Sequence, residues 1–541
     1  MKAIIGASQI SDSKSPSSVQ IDLVVSARIS ELSLAAGALV CVPICEETIS
    51  LAKQEIARAA QIGDLLEIRL DYLNDFTLAE ISELVGCAHE LDKPLILTFR
   101  PKEQGGHRAL EPERRLQFWK EANEVFKREF FDIELDLLRN SESIPELDWN
   151  RVICSHHDFD GVPSNLSQIY EAMVQTPARF VKIAVSAHDA IDCLPIFELL
   201  GRAESEGRLL IAIAMGQAGL MTRVLGPARG SYLTYGSSDD SRSTAPGQLS
   251  AVKLRDLYRI SRLTRDSRVM GLVGSPVAHS ISPDVHNAAF EATGVNAVYL
   301  PLEVRDLAGF MKRMAHPRSR ELDWNLAGLS ITAPHKSTVL EFLDWIHPAA
   351  REIGAVNTVV IDGESLRGYN TDAIAVLNPV IEMMGSLSDA RCAVIGAGGA
   401  AKAALWSLKN EGAKTTVFAR DNQKGRTLAS AFDAHFQTLA GSSFNDFDLV
   451  INATPLGTHG TFATETVATS HQLQGARLAY DLVYNPSETL FMREARAAGC
   501  ETIGGLSMLV LQGVEQFKLW TGLEAPVDVM RGAAEKALKS S

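Results

Sequence analysis

No apolar run in the 541 residues is long enough to cross a bilayer. Positive charge is also short. With 52 Lys and Arg against 66 Asp and Glu the net charge is -14, which argues against nucleic acid as the main partner. A site for an anionic ligand must therefore be locally basic, against the field of the whole chain. Cysteine is sparse: Cys41, Cys45, Cys87, Cys154, Cys193, Cys392 and Cys500 are odd in number and scattered. Cys41 and Cys45 lack a second metal-binding pair, so no zinc site is expected and the thiols read as reduced ones. Residues 1–38 are Ser-rich and lack periodicity, the pattern of a flexible N-terminal extension. They also lack the basic start and apolar core of a secretion signal. Asp12, Asp22 and Glu31 count against a transit peptide, so the cytoplasm is expected, with the plastid left open.

Hydrophobic residues make up 46% of the chain and charged ones 22%, as in a soluble globular protein. The length calls for two to four domains. From Leu39 to about Tyr258, short apolar runs alternate with amphipathic stretches such as Ile49–Ala60 and Arg114–Lys127. The strand candidates are Val40–Ile44, Leu65–Leu70, Leu95–Phe99, Phe131–Leu135, Val152–Cys154, Phe180–Val185, Leu209–Ala214 and Tyr232–Tyr235. Eight such units predict a (β/α)8 barrel over 39–258.

Barrel enzymes do their chemistry at the C-terminal ends of the strands, and polar residues recur there. Glu67 and Arg69 are two apart and share a strand face. Arg100 ends strand three, His157 follows strand five and Lys182 lies on strand six. Arg223 follows strand seven, with Thr244 and Gln248 beyond strand eight. Singly, each reads as a rim residue or a surface ion pair. Together they make a candidate site. Burial of Lys182, with Arg69, Arg100 or Arg223 nearby, is expected to disfavour its ammonium form and bring its pKa to about 7–8. A neutral amine forms an imine with a ketone, and His157 suits the proton transfers that follow.

The segments Glu67-Ile68-Arg69-Leu70-Asp71, Thr98-Phe99-Arg100, Gly105-Gly106, Ser155-His156-His157-Asp158-Phe159, Lys182-Ile183-Ala184 and Ala245-Pro246-Gly247-Gln248 closely resemble type I 3-dehydroquinate dehydratase. The resemblance implies that Lys182 is the imine lysine, His157 the general acid–base and Arg223 the carboxylate ligand. It gives Glu67, Arg69, Arg100, Thr244 and Gln248 the ring hydroxyls or the orientation of Lys182 and His157. Gln104 stands where that family often has Glu, and Gln carries no proton at neutral pH.

After a polar stretch at Leu257–Arg268, a strand at Val269–Val273 opens a second α/β unit. Gly274-Ser275-Pro276-Val277-Ala278-His279-Ser280-Ile281-Ser282-Pro283 follows it, Pro283 suiting a first helical turn with Ser282 as its cap. Ser280 and Ser282 read either as caps or as hydroxyl donors to a carboxylate. Thr332 and Lys336, Asn357, and Asp372 come from three further strand-end segments. Lys336 and Asp372 read as a solvated lysine and a helix cap, or, meeting in a cleft, as a proton-transfer pair. Gly396-Ala397-Gly398-Gly399-Ala400-Ala401 then follows one strand, opens a helix and leads to a second strand, Thr415–Phe418, the context a dinucleotide loop requires. Arg420 and Lys424, at the end of that strand, suit a 2'-phosphate despite Asp421. NADP(H) is therefore expected in preference to NAD.

These motifs, with Asn452-Ala453-Thr454-Pro455-Leu456-Gly457, Asp481-Leu482-Val483-Tyr484 and the Gly505–Gln512 segment, closely resemble shikimate dehydrogenase over 268–541. The resemblance makes Lys336 and Asp372 the catalytic pair and gives Ser280, Ser282, Thr332, Asn357, Tyr484 and Gln512 to the substrate. Gly396, Ala397, Gly398, Gly399, Ala400, Ala401, Arg420, Lys424, Thr454, Leu482 and Gly505 go to the cofactor. The implied parts are a substrate-binding domain at 268–385, a Rossmann domain at 386–505 and helices at 506–541 folding back on the first. Ser330 stands where many relatives have Asn. The whole chain resembles the fused bifunctional family, which implies dehydration of 3-dehydroquinate followed by reduction of 3-dehydroshikimate to shikimate. Small molecules are then the expected partners. Two other readings are quinate oxidation run catabolically, and a metabolite sensor without catalysis. The sequence leaves the oligomeric state open.

Overall fold

The computed structural model describes residues 37–109, 111–140, 147–239, 245, 247–460 and 462–540. The expected extension, up to residue 36, and Thr244 lie outside them. Eight parallel strands form the first sheet: β1 (Val40–Ile44), β2 (Leu65–Arg69), β3 (Leu95–Thr98), β4 (Phe130–Glu134), β5 (Val152–Asp158), β6 (Phe180–Ser186), β7 (Leu209–Met215) and β8 (Thr234–Tyr235). Their order is β7-β6-β5-β4-β3-β2-β1-β8, and a parallel bridge between Leu210 and Ser231 brings the two ends together. The result is a near-closed barrel with helices between the strands.

Side chains alternate across a strand, so the barrel interior is layered at every second residue. Leu65, Ile96, Phe130, Ile153, Phe180 and Ile211 are buried together in one apolar layer. Two residues further along the first five of those strands stand Glu67, Thr98, Asp132, Ser155 and Lys182, all buried. Period two thus carries an oily floor into a charged tier. β5 runs four residues beyond its predicted end, because His157 pairs with Ala184 and Asp158 with Val185 of β6. His157 is therefore on the strand rather than after it.

The second sheet is mixed: β9 (Arg268–Gly274), β10 (Ala297–Glu303), β11 (Leu326–Ile331), β12 (Trp345–Ile346), β13 (Thr358–Asp362) and β14 (Ser365–Tyr369), in the order β10-β9-β11-β13-β14-β12. The third contains β15 (Arg391–Ile395), β16 (Lys414–Ala419), β17 (His435–Thr438), β18 (Leu449–Asn452), β19 (Leu478–Asp481) and β20 (Glu501–Ile503). All its pairs are parallel and its order is β17-β16-β15-β18-β19-β20, the doubly wound arrangement of dinucleotide-binding folds. The Gly505–Thr521 helix returns to the second sheet, where Trp520 Nε1 donates to the Val359 carbonyl at 3.0 Å.

The barrel and the second sheet share apolar packing. Met221 and Val224 belong to the same buried cluster as Leu300, Leu302, Phe310, Met314 and Trp324. Buried Arg229 donates to the Trp324 carbonyl at 3.1 Å. The Asp189 carboxylate accepts from the backbone N–H groups of Arg305 and Asp306 at 2.7 and 3.0 Å. Among the described residues no helix is long and apolar enough to cross a membrane.

Candidate active sites

The strand register turns Lys182 into the barrel. Its Nζ donates to Asp132 Oδ2 at 2.9 Å and to the Tyr235 hydroxyl at 2.9 Å, and lies 3.4 Å from Glu67 Oε1. This corrects the expected setting of the amine. Among the described residues its ion-pair partners are two carboxylates, Glu67 and Asp132, and Asp132 also holds Arg100 at 2.6 Å. Burial alone would raise the Asp132 carboxyl, but the Arg100 and Lys182 charges hold it below its ordinary range. Arg100 also reaches His157 Nδ1 at 2.9 Å and Ser155 Oγ at 3.2 Å. Guanidinium only donates, so Nδ1 must accept and the ring proton sits on Nε2. Burial, with the Arg100 and Lys182 charges, keeps His157 a neutral imidazole well below its usual pKa.

Arg69 is forked onto Asp71, with Nε–Oδ1 and Nη2–Oδ2 both 2.9 Å, and also donates to the Gly105 carbonyl. Arg223 is different. It is 1% exposed, its Nε has no hydrogen-bond partner among the described residues, and burial pushes its pKa down to about 10. A buried cation in that condition carries a desolvation cost. Gln104 is buried, with Nε2 donating to Asp136 at 3.1 Å and Oε1 unpaired. Gln248 lies in the described stretch just beyond β8. Asp132 and Tyr235 were missed by the sequence reading. Asp132 and Glu134 alternate within Phe130–Leu135 just as Glu67 and Arg69 do on β2, and that signal was available.

In the second half Lys336 Nζ meets Asp372 Oδ2 at 2.5 Å. Asp372 opens the Asp372–Met384 helix, with Thr371 rather than Asp372 at its cap position. Asn357 Nδ2 donates to Asp372 Oδ1 at 2.8 Å and to Thr371 Oγ1 at 2.9 Å. The Ser282–Thr293 helix starts at Ser282, with Ile281 as cap residue and Pro283 in the first turn, which corrects the expected Ser282 cap. The Ser282 hydroxyl is instead 3.1 Å from Ser280 Oγ, and Ser280 Oγ accepts from the Ser282 N–H at 3.2 Å. Tyr484 packs its hydroxyl against Ser280, and burial raises its pKa. Thr332 follows β11, its N–H on the Val273 carbonyl at 2.9 Å. Gln512 donates to the Leu509 carbonyl one turn before Gln516, a third residue the sequence reading missed.

The nucleotide loop reaches this pair directly. A Cβ on Gly399 would stand 3.0 Å from Lys336 Cδ. Gly396 has φ of +125°, and a Cβ there would stand 2.8 Å from the Ala453 carbonyl, so only glycine is at ease in the turn. Above Gly398, which precedes the Gly399–Asn410 helix, nothing lies within 4 Å of a Cβ, which leaves room for a pyrophosphate at the helix N-terminus. Ala397 and Ala400 are part-buried beside it, and Ala401 is fully buried beneath. Arg420 and Lys424 are exposed at the end of β16, while the Asp421 carboxylate is occupied by the N–H groups of Gln423 and Lys424, both at 3.0 Å. Asp421 is thus a helix cap whose second oxygen lies 3.9 Å from Lys424 Nζ. Thr454 and Leu482 follow β18 and β19 beside the loop, each bonded to Asn452 through its N–H at 3.0 Å. A Cβ on Gly505 would stand 2.6 Å from the Leu482 and Val483 carbonyls.

A lysine–histidine centre in a barrel, joined to a lysine–aspartate pair against a dinucleotide loop, defines an enzyme with two centres, the second of them an oxidoreductase fold. Family models agree on both parts. Type I 3-dehydroquinase matches residues 40–265, and the shikimate dehydrogenase substrate binding domain matches 272–359. Shikimate / quinate 5-dehydrogenase matches 380–483, and the shikimate 5'-dehydrogenase C-terminal domain matches 505–535. The chloroplastic bifunctional 3-dehydroquinate dehydratase/shikimate dehydrogenase of Arabidopsis thaliana is 35% identical over 91% of this chain and 83% of its own length. The shikimate dehydrogenase (NADP(+)) of Methanothermobacter thermautotrophicus is 36% identical over 51% of this chain and 99% of its own. A crystal structure of Thermus thermophilus shikimate 5-dehydrogenase with NADP(H) and shikimate is 34% identical, covers 50% of this chain and 100% of its own, and has a TM-score of 0.45. The chain belongs to the bifunctional 3-dehydroquinate dehydratase/shikimate dehydrogenase family.

Proposed function

We propose that this chain dehydrates 3-dehydroquinate in its barrel through an imine on Lys182, then reduces 3-dehydroshikimate to shikimate at Lys336 and Asp372 with NADPH. Glu67 is the carboxylate placed to take the ammonium proton from Lys182. The freed amine attacks the ketone carbon, and the Glu67 carboxyl returns its proton to the carbinol oxygen, which leaves as water and gives a protonated imine. Neutral His157 removes the proton from the adjacent carbon, and the electron pair moves toward nitrogen to give an enamine. The enamine expels the β-hydroxyl, which departs as water with the proton held by His157. Water then hydrolyses the imine and releases Lys182. Asp132 compensates the iminium charge, and Arg223 takes the substrate carboxylate. Arg69, Arg100, Thr244 and Gln248 orient the ring and the two reacting side chains.

In the second centre NADPH supplies hydride to the ketone carbon. Gly396–Ala401 receive the pyrophosphate, Arg420 and Lys424 the 2'-phosphate, and Thr454, Leu482 and Gly505 line the remainder. Ser280, Ser282 and Tyr484 hold the carboxylate, while Thr332, Asn357 and Gln512 meet the hydroxyls. Lys336 gives the oxygen its proton, and Asp372 aims the ammonium. We divide the chain at the 258–268 junction and near 386 and 505. We place the enzyme in the cytoplasm, on its seven free thiols. A plastid, the compartment in the Arabidopsis relative's name, is the alternative that fractionation decides.

The observation that carries the reading is Lys182 inside the barrel, tied through Asp132 and Arg100 to His157. The test is purified protein with dehydroquinate and NADPH: reduced cofactor is consumed only if both centres turn over. Borohydride added with dehydroquinate should label Lys182, and Lys182→Ala should escape labelling while still reducing dehydroshikimate. Label on another lysine refutes the assignment.

A further inference from the structure

A column of buried amides and hydroxyls stands behind Lys336 and Asp372, and its base is Gln516, 1% exposed on the Gly505–Thr521 helix. The Asn357 carbonyl lies 3.3 Å from the Gln516 amide nitrogen. A carbonyl only accepts, so that end of the amide is Nε2. Nε2 then also donates to Thr358 Oγ1 at 3.1 Å. Oε1 accepts from the Ser330 hydroxyl at 3.0 Å and faces His286 Nε2 at 3.3 Å. With its lone pair engaged by Gln516, the Thr358 hydroxyl donates to Asn357 Oδ1 at 2.9 Å. The Thr371 N–H donates to the same Oδ1 at 2.8 Å, so the Asn357 amide is fixed too, with Nδ2 turned to Asp372 Oδ1. The other oxygen of Asp372 holds Lys336. The Thr371 hydroxyl closes the group, 3.3 Å from Asn357 Oδ1 and 3.4 Å from Thr358 Oγ1.

We propose that Gln516 is a positioning residue of the reductase, aiming the Asp372 carboxylate at Lys336 through Thr358 and Asn357. The inference rests on Lys336 and Asp372 being the proton-transfer pair. An anchored carboxylate presents its second oxygen to the ammonium along one direction, and proton delivery falls steeply when that direction drifts. Without Gln516 the Thr358 hydroxyl is free to rotate. Asn357 Oδ1 then loses the Thr358 donor and is held by Thr371 alone, so the amide aims Asp372 less firmly.

The test uses the full chain, shikimate and NADP, with the dehydratase activity of the same molecules as the control for folding. Gln516→Leu and Thr358→Val should each lower kcat about 10- to 100-fold, with the KM for NADP changed less than about two-fold and dehydration unchanged. Thr358→Ser keeps the hydroxyl and should retain the wild-type kcat. The double variant should fall no further than the worse single, as members of one series demand. If Gln516→Leu fails to fold, Thr358→Val against Thr358→Ser still decides. A wild-type kcat in Thr358→Val, equal losses in Val and Ser, or additive losses in the double variant refute the column, provided Lys336→Ala is inactive. An active Lys336→Ala removes the reading beneath it instead.

Discussion

The two centres handle buried charge in opposite ways. The barrel gathers Lys182, Arg100, Asp132 and Glu67 into one enclosed network in which each cation meets a carboxylate, and among the described residues Arg223 has none. The reductase centre is built, among the described residues, on one ion pair, Lys336–Asp372, whose lysine stays 20% exposed and whose aspartate is also held by the uncharged Asn357. The difference follows from what each must admit. A lyase takes one substrate and can assemble its electrostatics in advance, lacking only the anion that the substrate brings. A reductase must leave a gap for two ligands, and a charge network built across that gap would be lost to solvent whenever it emptied.

The comparison breaks first at Asp132. Asp132→Asn should slow dehydration about 10²- to 10³-fold in single-turnover assays while leaving shikimate oxidation untouched. A barrel indifferent to that change does not depend on its carboxylate tier. Arg223→Met should raise the KM for dehydroquinate about 10- to 100-fold without lowering the melting temperature, because it removes a cation whose burial nothing offsets. A clear drop in Tm would mean that Arg223 is structural.

On the reductase side, Arg420→Ala should raise the KM for NADP about ten-fold and leave that for NAD within about two-fold. Equal shifts would separate Arg420 from the phosphate. The last effect is on stability rather than on turnover. Burial drives the pKa of His286 down to about 3, below its unfolded value of about 6.5, so the unfolded chain takes up the proton first. Stability present above pH 6.5 should fall by about 1.4 kcal/mol per pH unit below it, down to about pH 3. His286→Gln should flatten the urea midpoint against pH by that one proton. An unchanged slope would place the titration elsewhere.

Much of this was legible in the chain because period is a local property. Apolar runs of strand length marked all eight barrel strands, and Glu67, Arg69 and Lys182 declared their faces through spacing alone. Asp132 escaped attention because lysine, histidine and arginine announce imine and carboxylate chemistry more loudly than an aspartate between phenylalanine and isoleucine. Gln516 offered no local signal. Its partners Asn357 and Thr358 lie 159 and 158 residues earlier, and a glutamine in a long helix looks like a surface residue until the fold closes over it. The Ser282 cap was misread for a local reason: serine before proline is a good start signal, but the Ser282 hydroxyl meets Ser280 two residues earlier.

Arg229 on the Trp324 carbonyl and Asp189 on two amides of the next sheet have a practical consequence. Separating the halves by cleavage near Arg265 would strip water-shy surface bare on each fragment and invite precipitation. Warming the intact enzyme should silence both reactions at the same temperature.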